Sequence, residues 1–403
     1  MWRYSHREYS SSVLICQKAQ RLSCRRGGDD VFNILDQWLL GLTGGAKLSR
    51  RAWVVIEYTP KGSGEKKDIS EDISKYFLSL SFTDNLSDTV DDITLTLEDK
   101  AQLWLEEWFP EVGAKLGIII HTYNWTNLAD GEQYLPLGEY EIDEIETEGF
   151  PSTVQIKAVS ALSDSSLRGV KKNRTWENIS VWKCASDICK ENSIDIVWDC
   201  DENPNLDHVE QANQSDLEFL EKICKDNGKN LKVMIDKIVI FDDDKYEAKT
   251  PVFFCLKPGA YGVPGSGGEL LLSGITDYKL KAKTRDVYWK CHVRYQRTQD
   301  KTVIEGEFAA PDKTDGPILT VNDQVKDKTE ADRLAKKKLR EKNKEAYTGS
   351  ITLVGNFYVV AGLVTELKGF GKFDGKYIIV KAEHQVGAAY TTSIDIRRCL
   401  NGY

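Results

Sequence analysis

Six acidic side chains lie close together in one stretch of the sequence, and paired carboxylates are what general acid and base catalysis requires. They are Asp84, Asp88, Asp91, Asp92, Glu98 and Asp99. Two such groups on either side of a glycosidic bond could hydrolyse it. Five of the six are predicted to lie at turns or strand ends, where such side chains bond nearby backbone. We therefore expect structural turn residues on the surface.

The cysteines and histidines show no spacing typical of a metal site. The nine cysteines are Cys16, Cys24, Cys184, Cys189, Cys200, Cys224, Cys255, Cys291 and Cys399, and they include no CxxC pair. Because free cysteine behaves as a small buried hydrophobic residue, we expect reduced thiols packed in cores. No metal, cofactor or catalytic residue is predicted.

Two patterns could form binding surfaces. A predicted strand over Asp286–Gln296 has a basic face, which could contact DNA phosphates or be solvated or paired with an acidic neighbour; we favour the second. Its members are Tyr288, Lys290, His292 and Arg294. Trp104 and Trp108 are spaced as on one helical face in Leu103–Phe109, which favours packing against a barrel over a sugar platform.

Length and charge limit the class of protein. The chain has 403 residues, enough for two or three domains. Its 54 Lys and Arg against 63 Asp and Glu give a net charge of −9, which disfavours a general nucleic-acid coat. No run approaches the roughly 18 apolar residues of a membrane span. An acidic assembly component fits best.

Strand patterns dominate both halves of the chain. Ile93, Leu95 and Leu97 alternate with polar residues in the first half, and Tyr347–Arg398 consists of short strands separated by Gly and Asp-Gly turns. The predicted fold class is mainly β with α. It comprises two small antiparallel β-barrels of related fold, joined by a helix-containing middle region.

Helix signals lie between the barrels. Asn178–Asn192 is amphipathic. Ser215 with Glu218 forms a capping box for the next helix, whose apolar face should dock on a hairpin of Leu231–Ile235 and Ile238–Phe241. Later, Thr329–Ala346 is predicted as a helix with Thr329 as its N-cap.

Two motifs carry a resemblance to a known family. The first is Ser215, Asp216, Leu217, Phe219 and Leu220; the second includes Gly369, Gly371, Asp374, Gly375, Tyr377 and His384. With further matches such as Trp53 and Asp84, they follow family order over about residues 51–398. The chain thereby resembles the phage late-control gene D family, the baseplate hubs of contractile tails, which are similar to the N-terminal part of VgrG spikes.

The resemblance implies a structural role for these motif residues and no catalytic, cofactor or metal site. It implies a homotrimer whose six barrels form a pseudo-hexameric ring between a hexameric tail tube protein and a trimeric spike protein. Other baseplate proteins would be partners, DNA would pass through a central channel, and the ring would sit in the virion tail baseplate after assembly in the bacterial host cytoplasm. Two alternatives stay open: a carbohydrate- or nucleic-acid-binding barrel, and a tail-associated cell-wall hydrolase.

The expected division of the chain has four parts. Residues 49–165 form the first barrel, 166–265 the middle region, and 266–403 the second barrel with helix 329–346. Residues 1–48 are expected to be an upstream extension or a disordered arm. Our hypothesis is that translation starts at Leu48, and a short helix at Val31–Leu42 is the alternative. Aromatic interface candidates, most of them expected in the core, are Trp125, Trp176, Trp182 and Tyr358.

Overall fold

The computed structural model describes residues 50–403 except 63, 88, 107, 127–129, 161–165, 235–236, 261–269, 273 and 298–300. The hypotheses about a start at Leu48 and a helix at Val31–Leu42 lie outside the described residues.

The described part of the first barrel contains seven strands and a short helix. They are β1 (Arg51–Thr59), β2 (Lys67–Asp68), α1 (Ser70–Ile73), β3 (Phe77–Asn85), β4 (Asp92–Glu98), β5 (Lys115–Tyr123), β6 (Glu132–Glu148) and β7 (Thr153–Ser160). The alternation predicted for β4 is confirmed, since Ile93, Leu95 and Leu97 are buried in the barrel core.

The middle region mixes helices and short strands around its own core. It contains α2 (Ser166–Gly169), β8 (Lys172–Ser180), α3 (Val181–Glu191), β9 (Asp195–Asp199), β10 (Asn205–Gln214), α4 (Asp216–Asp226), β11 (Asn230–Val233), β12 (Lys237–Phe241) and α5 (Asp243–Ala248). The predicted hairpin is confirmed by the antiparallel pairing of β11 with β12. Leu217, Leu220 and Cys224 of α4 pack with hairpin residues in one core.

The second barrel is interrupted by a helix-covered lobe. The barrel strands are β13 (Phe253–Leu256), β14 (Leu270–Leu272), β15 (Ile275–Ala282), β19 (Tyr347–Val354), β20 (Val364–Lys368), β21 (Gly375–Val386) and β22 (Tyr390–Arg398). The lobe, inserted between β15 and β19, consists of β16 (Lys290–Gln296), β17 (Val303–Ala309), β18 (Ile318–Val321) and α6 (Lys328–Asn343). The barrel is antiparallel except at β13, which pairs in parallel with β14 and β20.

One long strand joins the two barrels into a single sheet. Strand β21 pairs with β22 along one edge, while its other edge pairs first with β20 and then with β3. The hydrogen-bonded order β15-β19-β22-β21-β3-β4-β7-β6 therefore runs without a break from the second barrel into the first. We call these eight strands the shared sheet.

Two predicted helices have different ends in the structure. The amphipathic helix begins at Val181, because Asn178–Ser180 still belong to β8 and Ser180 caps the helix. Thr329 is the wrong N-cap for α6. Asp327 is the cap, since its carboxylate accepts a 2.8 Å hydrogen bond from the Glu330 amide, and the helix ends at Asn343.

Two further predictions need correction. The basic strand begins at Lys290 rather than Asp286. The described residues of the tryptophan segment form a 3₁₀ turn at Leu103–Leu105 and no α-helix, so Trp104 and Trp108 do not share a helical face. Their rings instead meet edge to face, with ring centroids 5.5 Å apart. Trp104 packs into the first barrel core, as predicted.

The prediction of reduced, packed cysteines is confirmed for six residues. Cys184, Cys189, Cys224, Cys255, Cys291 and Cys399 are free and buried, whereas Cys200 is half-buried. Cys16 and Cys24 lie outside the described residues. Burial raises the pKa of the Cys184 thiol to about 12, so it is not a reactive thiolate. None of the described helices is long and apolar enough to cross a membrane.

Candidate functional site: motif residues, junctions and the shared sheet

The first motif starts helix α4. Ser215 Oγ accepts a 3.3 Å hydrogen bond from the Glu218 amide, and the Ser215 amide donates to Glu218 Oε2 at 2.9 Å. This confirms the predicted capping box. Phe219 stacks on Trp176 with ring centroids 5.1 Å apart, which explains the aromatic position in the motif and places Trp176 against the core.

Asp216 lies in the first turn of α4, where a negative charge is favourable, and it also binds several side chains. Its carboxylate is fully buried and accepts hydrogen bonds from Lys172 at 2.7 Å, Gln211 at 2.9 Å and Asn192 at 3.1 Å, and it pairs with Arg174. Burial alone would raise the pKa of Asp216, but these donors outweigh it and lower the pKa. The ionised carboxylate of α4 thus ties together the C-cap of α3, Asn192, and strands β8 and β10.

The second motif forms the connection between β20 and β21. Gly369, Gly371 and Gly375 all have positive φ, which side chains rarely adopt. Asp374 Oδ1 accepts a 2.6 Å hydrogen bond from the Phe370 amide, and the buried Tyr377 donates to the Phe373 carbonyl at 2.8 Å. The motif is therefore a self-bonded turn that begins the strand joining the barrels.

The expectation of surface carboxylates is wrong for Asp84, Asp91 and Asp99, while Asp88 lies outside the described residues. Asp84 is only 5% exposed and Asp99 only 3%. Asp84 pairs with the buried ammonium of Lys232, which also lies 3.6 Å from Asp91 Oδ2 and donates to the Asn85 carbonyl at 2.8 Å. We call Asp84, Asp91 and Lys232 the junction triad.

The junction triad links three parts of the fold. Lys232 comes from the middle-region hairpin, and the other oxygen of Asp84 accepts a 2.8 Å hydrogen bond from the Ala361 amide of the second barrel. An apolar cluster drawn from the same three parts lies alongside, including Leu86, Phe241 and Val364. The sequence pointed to Asp84 and Asp91 but not to this site, because Lys232 and Ala361 lie far from them in the chain.

The triad shifts the protonation of its own members. Burial and the charge of Asp84 raise the pKa of Asp91 to about 7. Burial alone would lower the pKa of Lys232, but the charges of Asp84 and Asp91 outweigh it and raise the pKa. The single ammonium group of Lys232 therefore interacts with two carboxylates in a low-dielectric site.

A second ionic junction fastens the end of β22. Arg397 pairs with Glu247 and lies 3.0 Å from Asp243, both on α5, and Arg340 of the lobe helix lies 2.9 Å from the same Glu247. Glu247 Oε2 also accepts a 2.8 Å hydrogen bond from the Leu400 amide. Lobe, middle region and second barrel thus share one buried carboxylate.

The shared sheet has a polar face turned away from both cores. The hydroxyl groups of Thr352 and Ser393 lie 2.9 Å apart on it, and Ser81 donates to Glu383 across the barrel boundary at 3.2 Å. Other hydroxyl and amide side chains of this face are Thr94, Thr96, Gln155, Ser350 and Gln385.

The basic strand face is paired with acidic neighbours, as favoured from the sequence. Lys290 lies 2.5 Å from Glu307, and Arg294 lies 3.3 Å from Glu305. Among the described residues, no group of three or more His, Cys, Asp or Glu side chains is placed to hold a metal ion.

The structure keeps the two motifs apart: the Ser215 motif lies in the middle-region core and the Gly369 motif in the second barrel. Neither motif converges on a catalytic pair. Of the aromatic interface candidates, Trp125 packs on Tyr390 with ring centroids 5.3 Å apart. Trp182 is 41% exposed.

A solved phage tail protein shares this fold. The fold matches the 43 kDa tail protein of prophage MuSo2 from Shewanella oneidensis with a TM-score of 0.60, at 12% identity, over 86% of this chain and 98% of that one. At this identity the likeness establishes the fold.

The sequence is similar to those of two baseplate hub proteins. The chain is 28% identical over 177 residues to the probable baseplate hub protein of Escherichia phage 186, and 26% identical over 177 residues to that of Escherichia phage P2. Each match covers 43% of this chain, and 42% and 43% of the two relatives. No family model matches the sequence. The resemblance to baseplate hub proteins that the motifs predicted is confirmed.

Proposed function

We propose that this chain is a structural baseplate hub of a contractile phage tail or phage-tail-like particle. Three copies would form a pseudo-hexameric ring that joins the hexameric tail tube to the trimeric spike. It acts by holding neighbours in register and carries out no catalysis. Its place is the tail baseplate of a virion assembled in the bacterial host cytoplasm.

The shared sheet carries this proposal. Four of its strands come from the first barrel and four from the second, and all seven neighbouring pairs are antiparallel. Each chain thus presents two side-by-side units of four strands. A ring of three such chains repeats the unit six times, which suits a partner with six-fold symmetry on one side and a partner with three-fold symmetry on the other.

The polar face of the shared sheet suits the wall of a central channel. Its acidic residues are Asp92, Glu98, Glu144, Glu146, Glu148, Asp277, Glu383 and Asp395, against the basic residues Lys157, Lys279, Lys281 and Lys381. Surplus negative charge repels DNA phosphates, so DNA would pass along this face without binding to it.

The junctions supply the rigidity that a connector needs. The junction triad and the Glu247 junction hold both barrels, the lobe and the middle region to one another. A spike attached at one end would therefore be fixed relative to a tube at the other.

Co-purification from cells that express this chain with its neighbouring tube and spike proteins tests the proposal. The expected product is one complex that contains all three. Recovery of this chain free of both partners would contradict the hub function.

A further inference from the structure

We infer that neighbouring copies of this chain meet through two oppositely charged strand edges, β15 of one copy and the distal half of β6, residues 143–148, of the next. The inference rests on the ring proposed above and identifies the surfaces that close it.

Both edges are open in the described part of the chain. Strand β15 pairs with β19 on one side, and no described strand pairs with its other side. Strand β5 pairs with β6 only as far as Glu141, so the distal half of β6 pairs with β7 alone. Open edges present unpaired N–H and C=O groups to another chain.

The two edges run in compatible directions. They terminate the shared sheet at opposite ends, and seven successive antiparallel pairs separate them. An odd number of reversals makes β15 and β6 antiparallel to each other. When two copies stand side by side in the same orientation, the antiparallel alternation of the sheet continues from one copy into the next.

The charges of the two edges are complementary. The distal half of β6 carries only acidic charges, all exposed: Asp143, Glu144, Glu146 and Glu148. Strand β15 carries exposed Lys279 and Lys281 and one acidic residue, Asp277. Among the described residues, Glu144 and Glu146 pair with one amine, that of Lys157, at 2.9 and 3.2 Å, so negative charge is left over.

Lysines on an edge strand can by themselves protect it against unwanted pairing. The acidic row at the opposite end of the same sheet changes that interpretation. Two like edges would repel each other, whereas each edge attracts the opposite edge of another copy. Such a head-to-tail contact builds rings when its rotation closes, and edge-to-edge strand pairing is an established mode of recognition.

Charge reversal tests the contact. Two double variants each reverse two charges on one edge: Lys279→Glu with Lys281→Glu on β15, and Glu146→Lys with Glu148→Lys on β6. We expect each to associate at least about tenfold more weakly than wild type by native mass spectrometry over a concentration series, because the reversed residues then carry the same charge as their counterparts on the other edge. The quadruple variant, in which both pairs are reversed and again carry opposite charges, should regain the trimer. Circular dichroism and the unfolding midpoint verify that each variant is folded.

A matched control reverses two exposed acids of the middle region, Glu202→Lys with Glu210→Lys, and should leave the trimer unchanged. Double variants that stay trimeric, or a quadruple variant no better than either double, would overturn the edge contact while leaving the hub proposal intact. A wild-type protein that is monomeric would instead contradict the ring itself.

Discussion

The ammonium group of Lys232 is buried against the carboxylate of Asp84, although the two residues are 148 positions apart in the sequence. Lys232 belongs to the middle region and Asp84 to the first barrel. Because Asp84 also accepts a hydrogen bond from Ala361 of the second barrel, three parts of the fold meet at this ion pair.

Replacement of Lys232 by Met should destabilise the protein strongly. It leaves Asp84 and Asp91 buried without their cation, and loss of one partner of a buried pair costs about 3–5 kcal/mol. Urea denaturation measures the free energy of unfolding. The control is Lys157→Met, which removes exposed ion pairs with Glu144 and Glu146 and should change the free energy of unfolding far less. Equal losses in the two variants would show that the junction triad contributes little.

The pH dependence of stability should reveal Asp91. Its folded-state pKa of about 7 lies above its ordinary value of 3.8, because the carboxylate is buried beside Asp84. The ionised form therefore costs stability above pH 7, and this cost disappears as the pH falls through 7 towards 4. As the pH is lowered from about 8 to about 5, the free energy of unfolding of wild type should rise relative to that of Asp91→Asn.

The buried His384 acts in the opposite direction. Burial lowers its pKa from 6.5 to about 4, so its contribution to stability is present above pH 6.5 and is lost as the pH falls towards 4. This contribution is common to wild type and Asp91→Asn, and it cancels when the two are compared. If wild type gains no stability relative to Asp91→Asn as the pH falls, the pKa assigned to Asp91 is wrong.

Asp216→Asn should weaken the middle region. The amide would face Lys172 and Arg174 with one acceptor fewer and no charge, at a cost of about 2–5 kcal/mol. The control Asp187→Asn removes an exposed pair with Lys183 on α3, worth about 0.3–0.5 kcal/mol. Unfolding free energies, with limited proteolysis of the middle region, measure both. A loss for Asp216→Asn no larger than the control's would rule out this network as a major support.

Gly306→Ala should separate β17 from the lobe helix. A Cβ at Gly306 would lie 2.5 Å from backbone atoms of Ala331 and Asp332, so the helix must move. Overpacking of this kind costs about 1–3 kcal/mol. Gly64→Ala is the control, because a Cβ there meets no heavy atom within 4 Å among the described residues other than its chain neighbours. Thermal unfolding of the two variants should differ, and identical midpoints would contradict the close approach.

Local signals in the sequence predicted local structure. The Ser215 capping box, the β4 alternation and the glycine turn at Gly369 each depend on residues a few positions apart, and all were found. The Thr329 cap was wrong because Asp327, two positions earlier, offers a better acceptor to the same turn. The error on Asp84 has another cause: turn chemistry favours exposed Asp, but a lysine distant in sequence compensates its buried charge.

The shared sheet could not be predicted in this way either. Nothing local in Gly375–Val386 indicates that one edge of the strand pairs with β20 and then with β3. Only the three-dimensional register shows that the two barrels form one surface.

The mass and symmetry of the purified protein test the central claim most directly. Native mass spectrometry together with electron-microscopy class averages should show a trimer that forms a six-lobed ring with a central hole, with or without the spike protein. A protein that remains monomeric when the spike protein is present would contradict the hub account.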